Sequence, residues 1–221
     1  MKIKPHKKFQ NIFLVDNKLC TRNLTKGRSV YGEKIIKVKN DEYRIWDIRR
    51  SKLAAGIQKN IQNLPIKKDT KILYLGIASG TTSSHISDII EKNGIIYGIE
   101  ISERVLRELL DIAKERKNIV PILADAQKPE EYNWVEQVDV VYADIAMREQ
   151  SDILIRNCKM FLKENGYAII AIKARSIDVT KPPKRVYDQQ RKILEKYFKV
   201  KDFVILDPYE KDHCLFVLQR K

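Results

Sequence analysis

The segment Lys71–His85, KILYLGIASGTTSSH, decides how this chain reads. Its apolar run, Ile72-Leu73-Tyr74-Leu75, has the length of a buried strand and stops at Gly76. The loop that follows holds small and hydroxyl-bearing residues, Gly76, Ala78, Ser79, Gly80, Thr81 and Thr82, and runs into a helix-like pattern. A strand turning through glycine into a helix is how open α/β sheets seat a nucleotide-like cofactor. Two phosphate-binding versions of the turn are excluded. A P-loop needs Lys after its last glycine, and Gly80 is followed by Thr81. The dinucleotide fingerprint G-x-G-x-x-G fails because Gly76 and Gly80 are four apart.

Outward from this loop the chain alternates. Strands are predicted over 71–75, 95–99, 119–123, 138–143, 167–173, 201–206 and 214–218, with helices over 83–92, 103–116, 150–163 and 184–197. Asn93-Gly94 and Asn165-Gly166 follow helices where a left-handed cap belongs. The spacing predicts an α/β fold: a Rossmann-like, mostly parallel seven-stranded sheet with helices on both faces. Only Asp207-Pro208-Tyr209-Glu210 separates the last two strands, so they should close the sheet as an antiparallel hairpin. Upstream, Leu53, Ile57 and Ile61 recur at helical spacing from Ser51, with Leu64 following and Pro65 as the stop. The first fifty residues read differently. Phe9–Val15, Lys18–Thr21, Ile35–Val38 and Tyr43–Trp46 are short extended runs, which predicts a small antiparallel β domain over 1–50 ahead of the main domain over 51–221.

Composition narrows the partners. Forty-three Lys and Arg against 29 Asp and Glu give a formal charge of +14, which favours polyanions, although a lysine-rich surface also arises where ion-pair networks are useful. Cys20, Cys158 and Cys214 are odd in number and widely spaced, and no metal-ligand spacing appears. No run reaches membrane-span length and the basic start is not followed by an apolar signal core, so a reducing cytoplasm is the predicted compartment. His6 and His85 read as structural or exposed.

Two acids identify the cofactor. Glu100 ends the second strand of the main sheet, where a carboxylate accepts hydrogen bonds from a ribose diol, and Asp125 follows the third. Glycine loop, Glu100 and Asp125 form the series expected for S-adenosylmethionine. That molecule carries a ribose and an adenine but no phosphates, so its loop needs no lysine. Ser79, Thr81 and Thr82 are placed to bond its amino-acid end. Taken alone, each of these acids would read as a helix N-cap or a solvated turn residue.

The segment YLGIASGTTSSHISDII resembles the cofactor loop of the fibrillarin family, and of its archaeal members in particular. The resemblance covers nearly the whole chain. It extends through YRIWDIRRSKLAAGI (Tyr43–Ile57), ILADAQKPEEY (Ile122–Tyr132), VDVVYADIA (Val138–Ala146), AIIAIKARSIDVTKPP (Ala168–Pro183) and YEKDHCLFV (Tyr209–Val217). It implies an rRNA/tRNA ribose 2′-O-methyltransferase working within guide-RNA particles. The implied partners are a box C/D guide RNA with its target rRNA or tRNA, a Nop-domain scaffold protein, and a kink-turn-binding subunit like a ribosomal protein. No membrane partner is implied. Ala126 and Gln150 join the donor contacts in this reading, as does Asp144.

Methylating a ribose hydroxyl requires that a poor nucleophile be oriented and relieved of its proton beside a cationic donor. A Lys–Asp–Lys arrangement suits this: one lysine kept at least partly neutral acts as base and another cation steadies developing oxyanion character. Asp144 and Lys173 stand at the ends of the fourth and fifth strands, on the edge where such sheets bind ligands, and Lys52 opens the helix before the first. All three match the family's catalytic pattern, and His213 matches the histidine grouped with it. Lys173 is the expected base, Asp144 its orienting partner, and Lys52 an electrostatic or phosphate contact. A lysine is ordinarily a solvated surface residue; Lys173 departs from that because it ends the apolar strand AIIAIK, whereas Lys52 is raised only by the resemblance.

One stretch departs from the family. Where it usually reads Gln-Pro-Asp-Gln or Gln-Pro-Asn-Gln, this chain has Met147-Arg148-Glu149-Gln150 and keeps only Gln150. Two other readings compete. A methyltransferase for a base or a protein side chain is one, but base-nitrogen enzymes often carry Asn/Asp-Pro-Pro-Tyr after the fourth strand, and this chain has ADIAM there. A non-catalytic subunit of an RNA particle is the other, and the presence of Asp144 and Lys173 argues against it.

Overall fold

In the computed structural model, which describes residues 2–221, the first sheet is built from five short antiparallel strands: β1 (Ile3–Pro5), β2 (Ile12–Val15), β3 (Lys18–Arg22), β4 (Ile35–Val38) and β5 (Asp41–Ile45). Their order is β1-β2-β3-β5-β4. β1 was hidden in sequence by the lysine-rich start, and Phe9–Asn11 turns rather than extends, with Asn11 at φ 58°.

The larger unit follows as α1 (Lys52–Gln58), β6 (Lys71–Leu75), α2 (Thr81–Ile90), β7 (Ile95–Glu100), α3 (Glu103–Glu115), β8 (Ile119–Leu123) and β9 (Val138–Ala143). It continues through α4 (Gln150–Phe161), β10 (Leu162–Lys173), α5 (Ala174–Ile177), α6 (Pro183–Leu194), β11 (Phe198–Ile205) and β12 (His213–Arg220). The sheet order is β11-β12-β10-β9-β6-β7-β8, and β12 pairs antiparallel with both β10 and β11. The expected α/β fold and terminal hairpin are therefore present. The chain leaves β6 toward β7 and β8, then returns to β9 on β6's other flank. The loop after β6 thus opens at the point where strand order reverses, which is where open sheets bind ligands.

Alternate residues of the buried strands feed two cores. Leu73, Leu75 and Ile99 face α4 and α6; Ile72, Tyr74 and Ile96 face α1, α2 and α3. The second core continues into Phe9, Ile12, Leu19 and Trp46 of the first sheet.

A buried polar seam joins that sheet to α2. Arg44, wholly buried, pairs with Glu33 at 2.5 Å and with Asp88 at 2.8 Å, while Arg116 holds the other oxygen of Asp88 at 2.6 Å. His85 is buried between Thr21 (2.7 Å) and the Tyr31 hydroxyl (2.8 Å) and stacks on Trp46. The Thr21 hydroxyl donates to Asp88, so His85 Nδ1 donates to Thr21, and in the neutral ring Nε2 is left as an acceptor for the Tyr31 hydroxyl, which also lies 3.2 Å from the Ile45 carbonyl. Burial and the nearby Arg44 and Arg116 charges hold its pKa well below the ordinary histidine value. Its reading as structural is the correct half of the expectation.

Three local expectations need correction. The helix starting after Ser51 ends at Gln58 rather than running to Leu64, because Asn60 turns left-handed at φ 67°. Its N–H bonds Ile57 O and the Ile61 N–H bonds Gly56 O, a Schellman ending in which Ile61 supplies the apolar contact. The helical stripe therefore outlasts the helix. After α2 the left-handed residue is Glu91 (φ 60°), not Asn93 or Gly94. Asn165 is left-handed, but within the irregular start of β10, since α4 stops at Phe161. The ends of α6 and β11 also move: the helix closes at Leu194 and the strand opens at Phe198.

All three cysteines are buried and free. Among the described residues no helix is long and apolar enough to cross a membrane, and no cluster could hold a metal ion.

Candidate active site

The β6–α2 loop is shaped by what cannot fit. Gly76 has φ 75°, and a Cβ there would lie 2.6 Å from the Asp144 carbonyl oxygen, so a side chain would push the β9 loop away. Gly80, at φ 97°, caps α2 where a Cβ would strike Ile112. Ala78 is also left-handed, and its N–H bonds Glu100 at 3.1 Å. The Ser102 N–H holds the other oxygen of Glu100 at 2.9 Å. Glu100 is thus fixed beside the loop with acceptor capacity remaining.

Beside the loop is an open cleft of about 410 Å³. Gly76, Ala78, Ser79, Thr81 and Thr82 form one wall; Lys52, Asp144, Lys173 and His213 form the others. Lys52 comes from the first turn of α1, whose start is set by Ser51. That hydroxyl accepts the Ala54 N–H at 3.3 Å and a hydrogen bond from Thr82 at 3.0 Å. Asp144 follows β9, anchored through its N–H to Leu75 O at 3.0 Å. Lys52 Nζ reaches its two oxygens at 3.0 and 3.1 Å. Lys173 ends β10, exposed, and is paired in register with His213 at the start of β12. His213 Nδ1 donates to the Lys211 carbonyl at 2.7 Å, which leaves Nε2 uncommitted. Below the cleft Tyr74 and Tyr142 lie 4.5 Å apart; burial, with the Asp144 charge, pushes both hydroxyls well above the ordinary tyrosine range.

The remaining expected residues lie elsewhere. Glu100 and Asp125 are on the same carboxyl edge, past the loop and outside the cleft lining; the Ala124 N–H bonds the Glu100 carbonyl. Asp125 accepts the Gln127 N–H, and Ala126 is buried with its carbonyl bonded by Asn157. Gln150 is wholly buried. Its amide donates to Met147 O at 2.6 Å and its oxygen accepts the Lys173 N–H at 3.1 Å, so it positions the backbone of Lys173. In the departing stretch Met147 packs against the core, whereas Arg148 and Glu149 are exposed. Sequence reading passed over Arg50 and Glu210, which also line the cleft. Glu210 stands three residues before His213 in the quoted segment YEKDHCLFV, and Arg50 two before Lys52, so both were within reach.

The arrangement suits S-adenosylmethionine. The side-chain-free turn at Gly76, the loop hydroxyls and the braced Glu100 supply space and acceptors for a neutral ribose and an amino-acid tail, with no lysine for phosphate.

The sequence profile of the fibrillarin family matches residues 3–221. A Methanocaldococcus jannaschii fibrillarin-like rRNA/tRNA 2′-O-methyltransferase is 55% identical over 216 residues, covering 95% of this chain and 94% of its own. The crystal structure of Aeropyrum pernix fibrillarin in complex with natively bound S-adenosyl-L-methionine superposes with a TM-score of 0.92 at 46% identity, covering 99% and 98% of the two chains. A fibrillarin/Nop5p complex contains a chain that matches at TM-score 0.89 and 43% identity, covering 96% and 99%. With the match spanning essentially its whole length, this chain belongs to the fibrillarin family.

Proposed function

We propose that this chain transfers a methyl group from S-adenosylmethionine to the ribose 2′-hydroxyl of rRNA or tRNA, at positions chosen by a box C/D guide RNA. The observation that carries the reading is the convergence of Lys52, Asp144, Lys173 and His213, from four separate segments, on one cleft beside the glycine loop. The relatives' names and the bound donor in the Aeropyrum pernix structure support it. The Nop5p complex supports a Nop-domain scaffold as partner; the guide RNA and a kink-turn-binding subunit complete the proposed particle.

When bound, the donor supplies an electrophilic sulfonium methyl. Gly76–Thr82 would hold its amino-acid end and Glu100 its ribose, with Asp125 further along the same edge. Asp144 fixes Lys52 and presents its own charge at the cleft. Lys173 Nζ, in its uncharged form, takes the proton from the 2′-oxygen, and Lys52 steadies the negative charge appearing there. His213 Nε2 offers one further hydrogen bond to the sugar. Gln150 keeps Lys173 at its post.

Reconstitution with scaffold protein, kink-turn-binding protein and guide RNA tests the proposal. A 2′-O-methyl mark at the guide-defined nucleotide is the expected product, with the isolated chain almost inactive. A mark on a base would transfer the assignment to the competing class of methyltransferase.

A further inference from the structure

Arg50 borders two hollows. On its far side from the catalytic cleft, a concavity of about 430 Å³ lies between the first sheet and the segment leading into α1. Its size is in the range of ligand sites, and Leu19, Ile45, Trp46 and Ile48 give it an apolar floor. Its cations are Lys18, Lys34 and Arg50, all exposed. Among the described residues none of the three has a carboxylate within ion-pair distance. Of the acids of the same wall, Glu33 is held by Arg44, while Asp47 accepts only the Arg49 N–H among these residues and keeps its charge, so the three cations outnumber one free carboxylate. Arg50 itself is braced, its guanidinium 4.8 Å from the Tyr31 ring centroid and bonded to the Tyr31 carbonyl.

A hollow with unneutralised cations, joined to the catalytic cleft by a shared arginine, complements a polyanion that already occupies the cleft. We infer that this concavity is a second RNA subsite, which holds the ribose-phosphate backbone of the acceptor strand next to the reacting nucleotide. The inference rests on the function proposed above. Arg50 takes the phosphate at the boundary, and Lys34 and Lys18 continue the track across the first sheet. Such contacts orient a strand without reading its bases. They suit an enzyme whose target is selected by a guide.

The test measures binding of a short fluorescein-labelled RNA to the full chain by anisotropy over a range of KCl. Each lost phosphate contact lowers the slope of log affinity against log salt by about 0.7–0.9. K18Q/K34Q should therefore lower it by about 1.5, with S-adenosylmethionine affinity unchanged. K67Q/K117Q removes equal charge from exposed lysines at the opposite, amino edge of the large sheet and should leave the slope as it is. An unchanged slope in K18Q/K34Q, or equal falls in both variants, overturns the subsite. Loss of scaffold-protein binding with an unchanged RNA slope also overturns it, and assigns the hollow to protein docking. Failure of the function itself is separate: it appears as a wild-type particle that leaves no 2′-O-methyl mark, while the salt slope still reports on the subsite.

Discussion

The seam between the first sheet and α2 and the cleft at the carboxyl edge are both made where basic side chains meet aspartate, yet they follow opposite rules. In the seam, Asp88 takes two arginines, Thr21 and the Leu24 N–H, and all three side-chain partners are buried. In the cleft, Asp144 has one lysine, and both are about one-fifth exposed. Arg50, Lys173 and Glu210 have no ion-pair partner among the described residues. Saturated charges hold a fold together, and removing one strands the rest. Unsaturated ones hold capacity for a substrate. The number of partners, more than the residue types, separates the two.

Substitutions can break this contrast. The largest effect belongs to the cleft: Lys173→Ala and Asp144→Ala should each slow methyl transfer by roughly a hundredfold to ten-thousandfold while leaving the melting temperature near wild type. Wild-type single-turnover rates in both would remove these residues from the chemistry. Arg44→Ala should do the reverse, costing about 3–5 kcal/mol in urea denaturation by stranding buried Glu33, without touching a cleft residue.

A smaller effect comes from His85. Its folded pKa lies below the ordinary 6.5, so the unfolded chain binds the proton first as pH falls. The stability it contributes is complete above about pH 6.5 and is lost below it, by up to about 1.4 kcal/mol per pH unit. His85→Gln should flatten that slope between about pH 6.5 and 5, above the range where carboxylates such as Glu33 protonate. An equally steep slope in the variant would place the titration elsewhere. The smallest expected change is Ser51→Ala, about 1 kcal/mol for a lost helix cap.

The parts of the molecule legible in sequence are those fixed by local pattern. The buried strands announce themselves as apolar runs, and the cleft residues at their ends follow from topology, which is why Asp144 and Lys173 could be named. Lys52 had no such signal. Its value lies in contact with a residue 92 positions away, formed only when α1 packs against α2 and β12 and brings Lys52 to Asp144. Gln150, expected among the donor contacts, turns its amide inward to the Lys173 backbone, an arrangement that only tertiary packing defines. The seam was invisible for the same reason: Arg44, Asp88 and Arg116 carry ordinary surface identities, and only tertiary packing buries them. Apolar spacing also overran the end of α1, because Ile61 packs on the core whether or not the backbone there is helical.

The bond between the Thr82 and Ser51 hydroxyls has a thermodynamic consequence. Thr82 stands in the first turn of α2, at the end of the loop that would grip the methyl donor, and Ser51 sets the start of the helix that carries Lys52 toward the acceptor. Ordering one end of this short linkage lowers the cost of ordering the other. Donor and acceptor should then bind with positive cooperativity, each tightening the other by the same factor. An enzyme wired in this way discriminates against half-filled states, and Ser51→Ala would show its loss as two affinities that no longer depend on one another.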